Sequence, residues 1–260
     1  MKRPRLLRDP IDALKAARYR WLLRRWLRNA EEVWRAYRSG LAMPTLQFRS
    51  GLSLAHGPDD APVFLLFEIF ANGCYRSALR NARGGTIVDI GANIGVFTLQ
   101  ALARPDISVH AYEPHPRTAA TLRRNVAAND RDGRVTVFEE AVGHARGSRR
   151  LNAGGPSLTS SLYAEPGASG VMVSCVGLDA VVERAGGAVS LIKIDAEGAE
   201  VDILAGASRE VLRAIPRLVL ECHDWLVVDA TARVAGVLRG AGFRVGVRAH
   251  GRATLVTANR

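Results

Sequence analysis

From residue 86 onward the chain alternates between short β-branched apolar runs and longer stretches with apolar residues at helical spacing. Ile87-Val88-Asp89-Ile90, Ser108 to Tyr112, Val135 to Phe138, Ser190 to Ile194 and Arg217 to Glu221 read as strands buried on both faces. Helices are predicted from Val96, over Arg117–Asn129 and Leu178–Arg184, after Ala199, and over Val227–Gly240; Phe243–Val247 and Ala253–Thr257 read as closing strands. This alternation predicts an α/β fold around a mostly parallel sheet. Ahead of it, the spacing predicts one helix over 11–38, a hairpin with strands at Leu46–Phe48 and Leu52–Leu54, and one helix over Ala61–Leu79 that carries Phe64, Phe67, Glu68 and Tyr75. Gly143 to Gly170 is rich in Gly, Ser, Arg and Pro and reads as an irregular excursion with a short hairpin. Its cluster Ser157, Thr159, Ser160 and Ser161 makes it a candidate substrate lid. Val171, Val173 and Cys175 then alternate as a strand.

Chemistry gathers where the strands end. Gly91 and Gly95 bracket a turn between strand and helix, a place where backbone approaches a ligand. A dinucleotide fingerprint counted from Gly91 would need glycine at 93 and 96, where Asn93 and Val96 stand, so no pyrophosphate cradle is present. Asp89 precedes the turn and would repel a phosphate but suits a cation. Glu113 follows Gly91 by 22 residues, where nucleotide-binding α/β folds put a carboxylate on the ribose hydroxyls, and Glu140 is a candidate for contacting an adenine. Asp195 ends a later strand, and His223 ends the next, with Glu197 behind them. Asp89, Glu113 and Asp195 therefore converge on one crevice, and their mutual repulsion would be offset by a cationic ligand. Asp195 and His223 are the candidate bases. No ligand spacing supports a metal, and Cys74, Cys175 and Cys222 form no CxxC pair.

Charge adds a feature outside this unit. The net charge is +11, of which residues 1–40 supply +8, with twelve Lys/Arg against four Asp/Glu. Trp21, Trp26 and Trp34 interleave with the arginines there. The arm reads either as a basic amphipathic helix resting on an anionic membrane surface or nucleic acid, or as a helix packing its apolar stripe on the main domain. Only three of the 36 basic residues are lysines, a bias that weakens any inference from basicity alone. No apolar run approaches a membrane span, and no export signal is recognisable; a cytoplasmic protein is expected, with the inner membrane surface as the arm's candidate contact.

Several segments in order carry a resemblance: V-D-I-G-A-N-I-G (88–95), Y-E-P-H-P (112–116) with Asn125 and Asn129 downstream, A-V-G (141–143), I-K-I-D-A-E-G-A-E (192–200) with Gly206, and L-E-C-H (220–223). Together they resemble the FkbM family of S-adenosylmethionine (SAM)-dependent methyltransferases. The resemblance implies a Rossmann-like class I fold, with a seven-stranded, mostly parallel sheet covered by helices on both faces. It would form a domain over 41–260, with its SAM-binding core at about 84–223, behind a helical extension over 1–40. It implies SAM as cofactor and methyl transfer to a hydroxyl of a sugar, glycan or secondary metabolite. By position, Asp89, Gly91, Asn93 and Gly95 would surround the methionine end, Glu113 would bind the ribose, and Asp195 would lie near the transferred methyl. Two rivals remain: an RNA methyltransferase using the basic arm, and a non-catalytic SAM-binding module at a membrane. The first lacks an Asn-Pro-Pro-Tyr or Asp-Pro-Pro-Tyr motif, and the nearly neutral core makes a nucleic-acid partner the weaker expectation.

Overall fold

A computed structural model of the chain describes residues 10–57, 60, 62–67, 69, 73–152 and 170–260. Helices α1 (Pro10–Trp26) and α2 (Ala30–Ser39) precede an antiparallel pair, β1 (Leu46–Gln47) and β2 (Ser53–Leu54), and the short helices α3 (Pro62–Leu66) and α4 (Arg76–Asn81). The alternating part opens with β3 (Gly85–Ile90), α5 (Val96–Leu102), β4 (Ile107–Tyr112), α6 (Pro116–Asn129) and β5 (Val135–Phe138). A side sheet follows, made of β6 (Ala141–Gly143), β7 (Gly147–Asn152) and β8 (Gly170–Gly177), with β8 between the other two. The chain then runs through α7 (Leu178–Arg184), β9 (Val189–Ile194), α8 (Glu200–Ala205), α9 (Arg209–Ala214), β10 (Arg217–Cys222), α10 (Ala230–Gly240), β11 (Arg244–His250) and β12 (Ala253–Asn259).

The main sheet has seven strands in the order β11-β12-β10-β9-β3-β4-β5. β12 is antiparallel to both neighbours, and the remaining adjacent pairs are parallel. Strand order reverses between β3 and β9, which opens a crevice at the carboxyl ends of these two strands. The apolar runs have the two-sided burial their composition requires. Ile87, Val109, Leu191 and Val219 face one core cluster, whereas Val88, Ile90, Ile192, Ile194 and Leu220 face the other.

The structure departs from the periodicity at three places. The predicted helix over 11–38 breaks at 27–29, where Leu27 pairs with Phe48 and the Asn29 amide donates to Thr45 O (2.9 Å) and accepts from Gln47 N (3.0 Å). Long-range hydrogen bonds to β1 thus end α1, a signal absent from local sequence. The two helices pack on the domain: Leu23, Leu27, Val33 and Trp34 join the core under the main sheet, while Trp21 is 58% exposed. The helix read over Ala61–Leu79 is two, α3 and α4, with Gly73 at positive φ between them. Glu68 and the Phe64 side chain lie outside what the structure describes, as does the serine cluster of 153–169. The flanks of that excursion form a hairpin-like pair, β7 and β8, in the side sheet. No helix among the described residues is long and apolar enough to cross a membrane.

Two asparagines bind the N-terminal part to the nucleus of the fold. Asn125 accepts from Ala55 N (2.7 Å) and donates to Ile94 O (2.7 Å) and Ala55 O (2.9 Å); Asn129 exchanges two bonds with the Ser53 backbone. Asn125 is 1% exposed, so replacing it leaves buried backbone groups without partners. Asn125→Leu is expected to lower unfolding stability by about 2–4 kcal/mol in urea titration. A change within about 0.5 kcal/mol would remove this residue from the scaffold account.

Candidate functional site

The site is built on the two strand ends at the sheet reversal. Gly91, at φ 73°, turns the chain out of β3, and a Cβ there would sit 1.9 Å from the Asp195 carbonyl oxygen. Only glycine lets the two strand ends approach so closely. Gly91 N and Ala92 N both donate to Tyr112 O at 3.0 Å, and Asp195 N donates to Ile90 O at 3.0 Å, so β4 and β9 hold the turn from both sides.

Beneath the turn lies an ion pair within the sheet. Asp89 and Lys193 are register partners on β3 and β9, with Lys193 Nζ 3.0 Å from Asp89 Oδ1. Asp89 Oδ2 accepts from Thr98 Oγ1 at 2.6 Å, and Nζ donates to Gly91 O (2.7 Å) and Ile90 O (3.3 Å). Burial opposes the ammonium charge, but Asp89 and then Asp195 outweigh it and raise the pKa of Lys193 above its ordinary value. The aromatic faces of Tyr75 and Phe97 cover Nζ at 5.9 and 6.0 Å.

Above the turn a cavity of about 840 Å³ runs along the carboxyl ends of the strands. Gly91, Asn93, Glu113, Glu140 and Asp195 line it. Glu113 accepts from Asn93 N (3.0 Å) and His115 N (2.9 Å). Its burial pushes the carboxyl up to about 7, against the pull of those two donors. Glu140 is held by the Arg184 guanidinium. The far wall is apolar and aromatic, with Tyr19 of α1, Tyr37 of α2, Met43, Phe67 and Trp225. Tyr19 stacks on Phe67 at 4.3 Å between centroids.

At the junction of the two regions stands a cluster of carboxylates around one imidazole. His223 Nε2 is 3.8 Å from Asp195 Oδ1 and 3.7 Å from Glu197 Oε2, and its Nδ1 is 3.0 Å from Glu200 Oε1. Glu200, fully buried, also accepts from Ala196 N (3.2 Å) and Gly198 N (3.1 Å), which ties the Asp195–Glu197 loop to the imidazole. Burial opposes charge on His223, yet the Glu200 hydrogen bond, then Asp195 and Glu197, carry its pKa up to about 10. Burial and the Asp195 charge push Glu197 up to about 8. No spacing in the sequence indicated a ligand set, but the fold brings donor atoms of Asp195, Glu197 and His223 within 4.8 Å of one another.

Two of the residues expected at the cofactor, Asp89 and Gly95, are not among those lining the cavity. Asp89 is 0% exposed, with its carboxylate against Lys193 Nζ and Thr98 Oγ1 behind the turn. Gly95, at φ 96°, caps α5 and faces the Leu122 side chain, away from the cavity. Lys193 and Glu200 were missed as site residues. A lysine inside the run Leu191-Ile192-Lys193-Ile194 was the available signal, because a buried strand retains a cation only against a partner. Tyr75 is 1% exposed and donates to Glu221 Oε2 at 3.0 Å, a packed position beneath the site.

The acid-rich, phosphate-averse crevice suits a cofactor with a cationic end, a nucleoside and no pyrophosphate, and comparison with known proteins agrees. Residues 89–245 match the family model of the methyltransferase FkbM domain. The chain is 32% identical over 235 residues to 31-O-demethyl-FK506 methyltransferase FkbM of Streptomyces tacrolimicus, covering 77% of this chain and 89% of that one. It is 31% identical over 208 residues to methyltransferase 1 of Beauveria bassiana, covering 71% and 82%. Among solved structures, the METTL16 MTase domain shares the fold at a TM-score of 0.53 and 11% identity, covering 97% of this chain and 94% of that one. With the strand order, the Gly91 turn and the matched segment in agreement, the chain belongs to the FkbM family of SAM-dependent methyltransferases.

Proposed function

We propose that the protein methylates a hydroxyl oxygen of a small-molecule acceptor, a sugar, glycan or secondary metabolite. The observation that carries this reading is the position of Asp195. Its carboxylate, with a side chain 29% exposed, opens into the cavity between the Gly91 turn and the aromatic wall. A hydroxyl must lose its proton during transfer, so a carboxylate placed between cofactor side and acceptor side meets the chemical need. That the Streptomyces tacrolimicus relative is a 31-O-demethyl-FK506 methyltransferase supports oxygen as the acceptor atom.

In this reading Glu113 holds the ribose hydroxyls, the Gly91–Asn93 backbone the methionine end, and Glu140, steadied by Arg184, the adenine side. SAM, when bound, supplies an activated methyl on a sulfonium. Lys193 fixes the turn through Gly91 O, and its ammonium lies 3.7 Å from Asp195 Oδ2. The aromatic wall of Tyr19, Tyr37 and Phe67 excludes water and presents the acceptor hydroxyl to Asp195, which takes its proton. Positioning of this kind accounts for a large part of the rate in a bimolecular transfer. Asp195, more exposed than His223, is assigned the proton-accepting role.

Asp195→Asn is expected to lower kcat by about 10²-fold or more while SAM binding by calorimetry stays within a few-fold of wild type. Turnover within twofold of wild type, with any accepted hydroxyl substrate, would refute the assignment.

SAM affinity is expected to depend on pH through Glu113. Ribose hydroxyls donate best to the ionised carboxylate, and Glu113 titrates near about 7 in the free protein, so binding below that pH must first release its proton. Affinity therefore falls as pH drops through 7, by about tenfold per unit, and levels off above it. Calorimetry between pH 5.5 and 8 should show this slope in wild type and a weaker, flat profile in Glu113→Gln; a flat wild-type profile contradicts the ribose role.

A further inference from the structure

The cluster at the ends of β9 and β10 has features beyond those a metal-free base requires. Its three members arrive from two loops, Asp195 and Glu197 after β9 and His223 after β10, and their donor atoms lie within 4.8 Å of one another. The imidazole is 4% exposed and aimed between the two carboxylates, with Nε2 3.8 and 3.7 Å from their oxygens, too far for a hydrogen bond to either. Ligands about 2.1 Å from a divalent ion stand about 3–3.5 Å apart, so small side-chain rotations close this group around one. Glu200 supplies the independent support. It takes the Nδ1 side of His223 at 3.0 Å from a fully buried position, which turns the Nε2 edge toward the cluster, and its bonds to Ala196 N and Gly198 N fix the loop carrying the other two ligands. A carboxylate behind a ligating histidine is the arrangement that orients metal ligands.

We propose that Asp195, Glu197 and His223 form a binding site for one divalent first-row cation, with Glu200 as its orienting residue. One imidazole and two carboxylates suit ions such as Mn²⁺ or Zn²⁺. Asp195 and Glu197, with side chains 29% and 24% exposed, leave the cavity side open, so the ion keeps positions for water or an acceptor oxygen. Resting on the O-methylation reading above, the inference gives the acceptor hydroxyl a Lewis acid that lowers its pKa. The O–H proton passes to Asp195 and then to solvent; the oxygen–methyl bond forms as the methyl–sulfur bond breaks, and the sulfonium leaves as neutral S-adenosylhomocysteine.

The test measures the metal without the reaction. Full-length protein stripped with chelator is titrated with MnCl2 and, separately, ZnSO4 by calorimetry, with electron paramagnetic resonance following free Mn²⁺. One saturable site per chain is expected, weakened at least tenfold in His223→Ala and about 10–100-fold in Glu200→Gln, and unchanged in Glu139→Gln, whose carboxylate pairs with Arg123 at the surface. Thermal melts confirm that each variant is folded. X-ray absorption at the zinc edge of the wild type needs no variant, and should show a nitrogen and oxygen shell with one imidazole. A sulfur-containing shell, no imidazole scattering, or no saturable uptake at millimolar ion overturns the site. SAM titration of the same stripped sample reports separately on the methyltransferase reading: SAM binding without metal uptake leaves that reading standing and removes this one.

Discussion

The buried contact between Lys193 and Asp89 is the interaction on which the rest of the site depends. Both side chains lie inside the sheet, where an isolated charge costs several kcal/mol, and removing one partner of such a pair typically destabilises by about 3–5 kcal/mol. The pair also gives geometry. Nζ reaches past Asp89 to the carbonyls of Ile90 and Gly91, so the cation that neutralises one strand end fixes the path of the chain leaving it. Asp195, on the other side, feels the same ammonium at 3.7 Å. The acids of this crevice are therefore not balanced by a ligand alone; the protein brings a counter-charge of its own.

The sheet explains why these groups meet. Strands buried on both faces are continuous apolar runs, and polar residues are excluded until the strand ends. Parallel pairing puts those ends on one side, so Ile90 and Ile194 finish together, and Gly91 and Asp195 follow in contact. Glu200 then joins the loop after β9 to His223 after β10, so three consecutive neighbours in the sheet share one polar network.

Much of this was legible in the sequence because it is written locally. Apolar runs gave the strands, the break at Gly91 gave the turn, and acids placed after the runs gave Glu113 and Asp195 their positions. What was not legible depends on pairing between distant segments. Nothing near Lys193 says that Asp89 will be its register partner. The end of α1 is set by hydrogen bonds from Arg28 and Asn29 to a hairpin about twenty residues away. Glu200 is a first-turn acid of α8, and only the fold puts His223 against it. The strand through Val171, Val173 and Cys175 was visible, but its membership of a separate three-stranded sheet was not.

Apart from Trp225, the two sides of the cavity come from different lengths of chain. Glu113, Gly91, Asn93 and Asp195 all lie within residues 89–245, the segment shared with the family, whereas Tyr19, Tyr37, Met43 and Phe67 on the opposite wall precede it. The helices carrying Tyr19 and Tyr37 rest on the sheet through apolar packing, which tolerates exchange of similarly sized side chains better than a hydrogen-bonded network does. The two walls therefore tolerate substitution unequally: the wall bearing Gly91 and Asp195 is tied by an ion pair and backbone contacts, and the wall bearing Tyr19 and Tyr37 rests on packing that similarly sized side chains can replace.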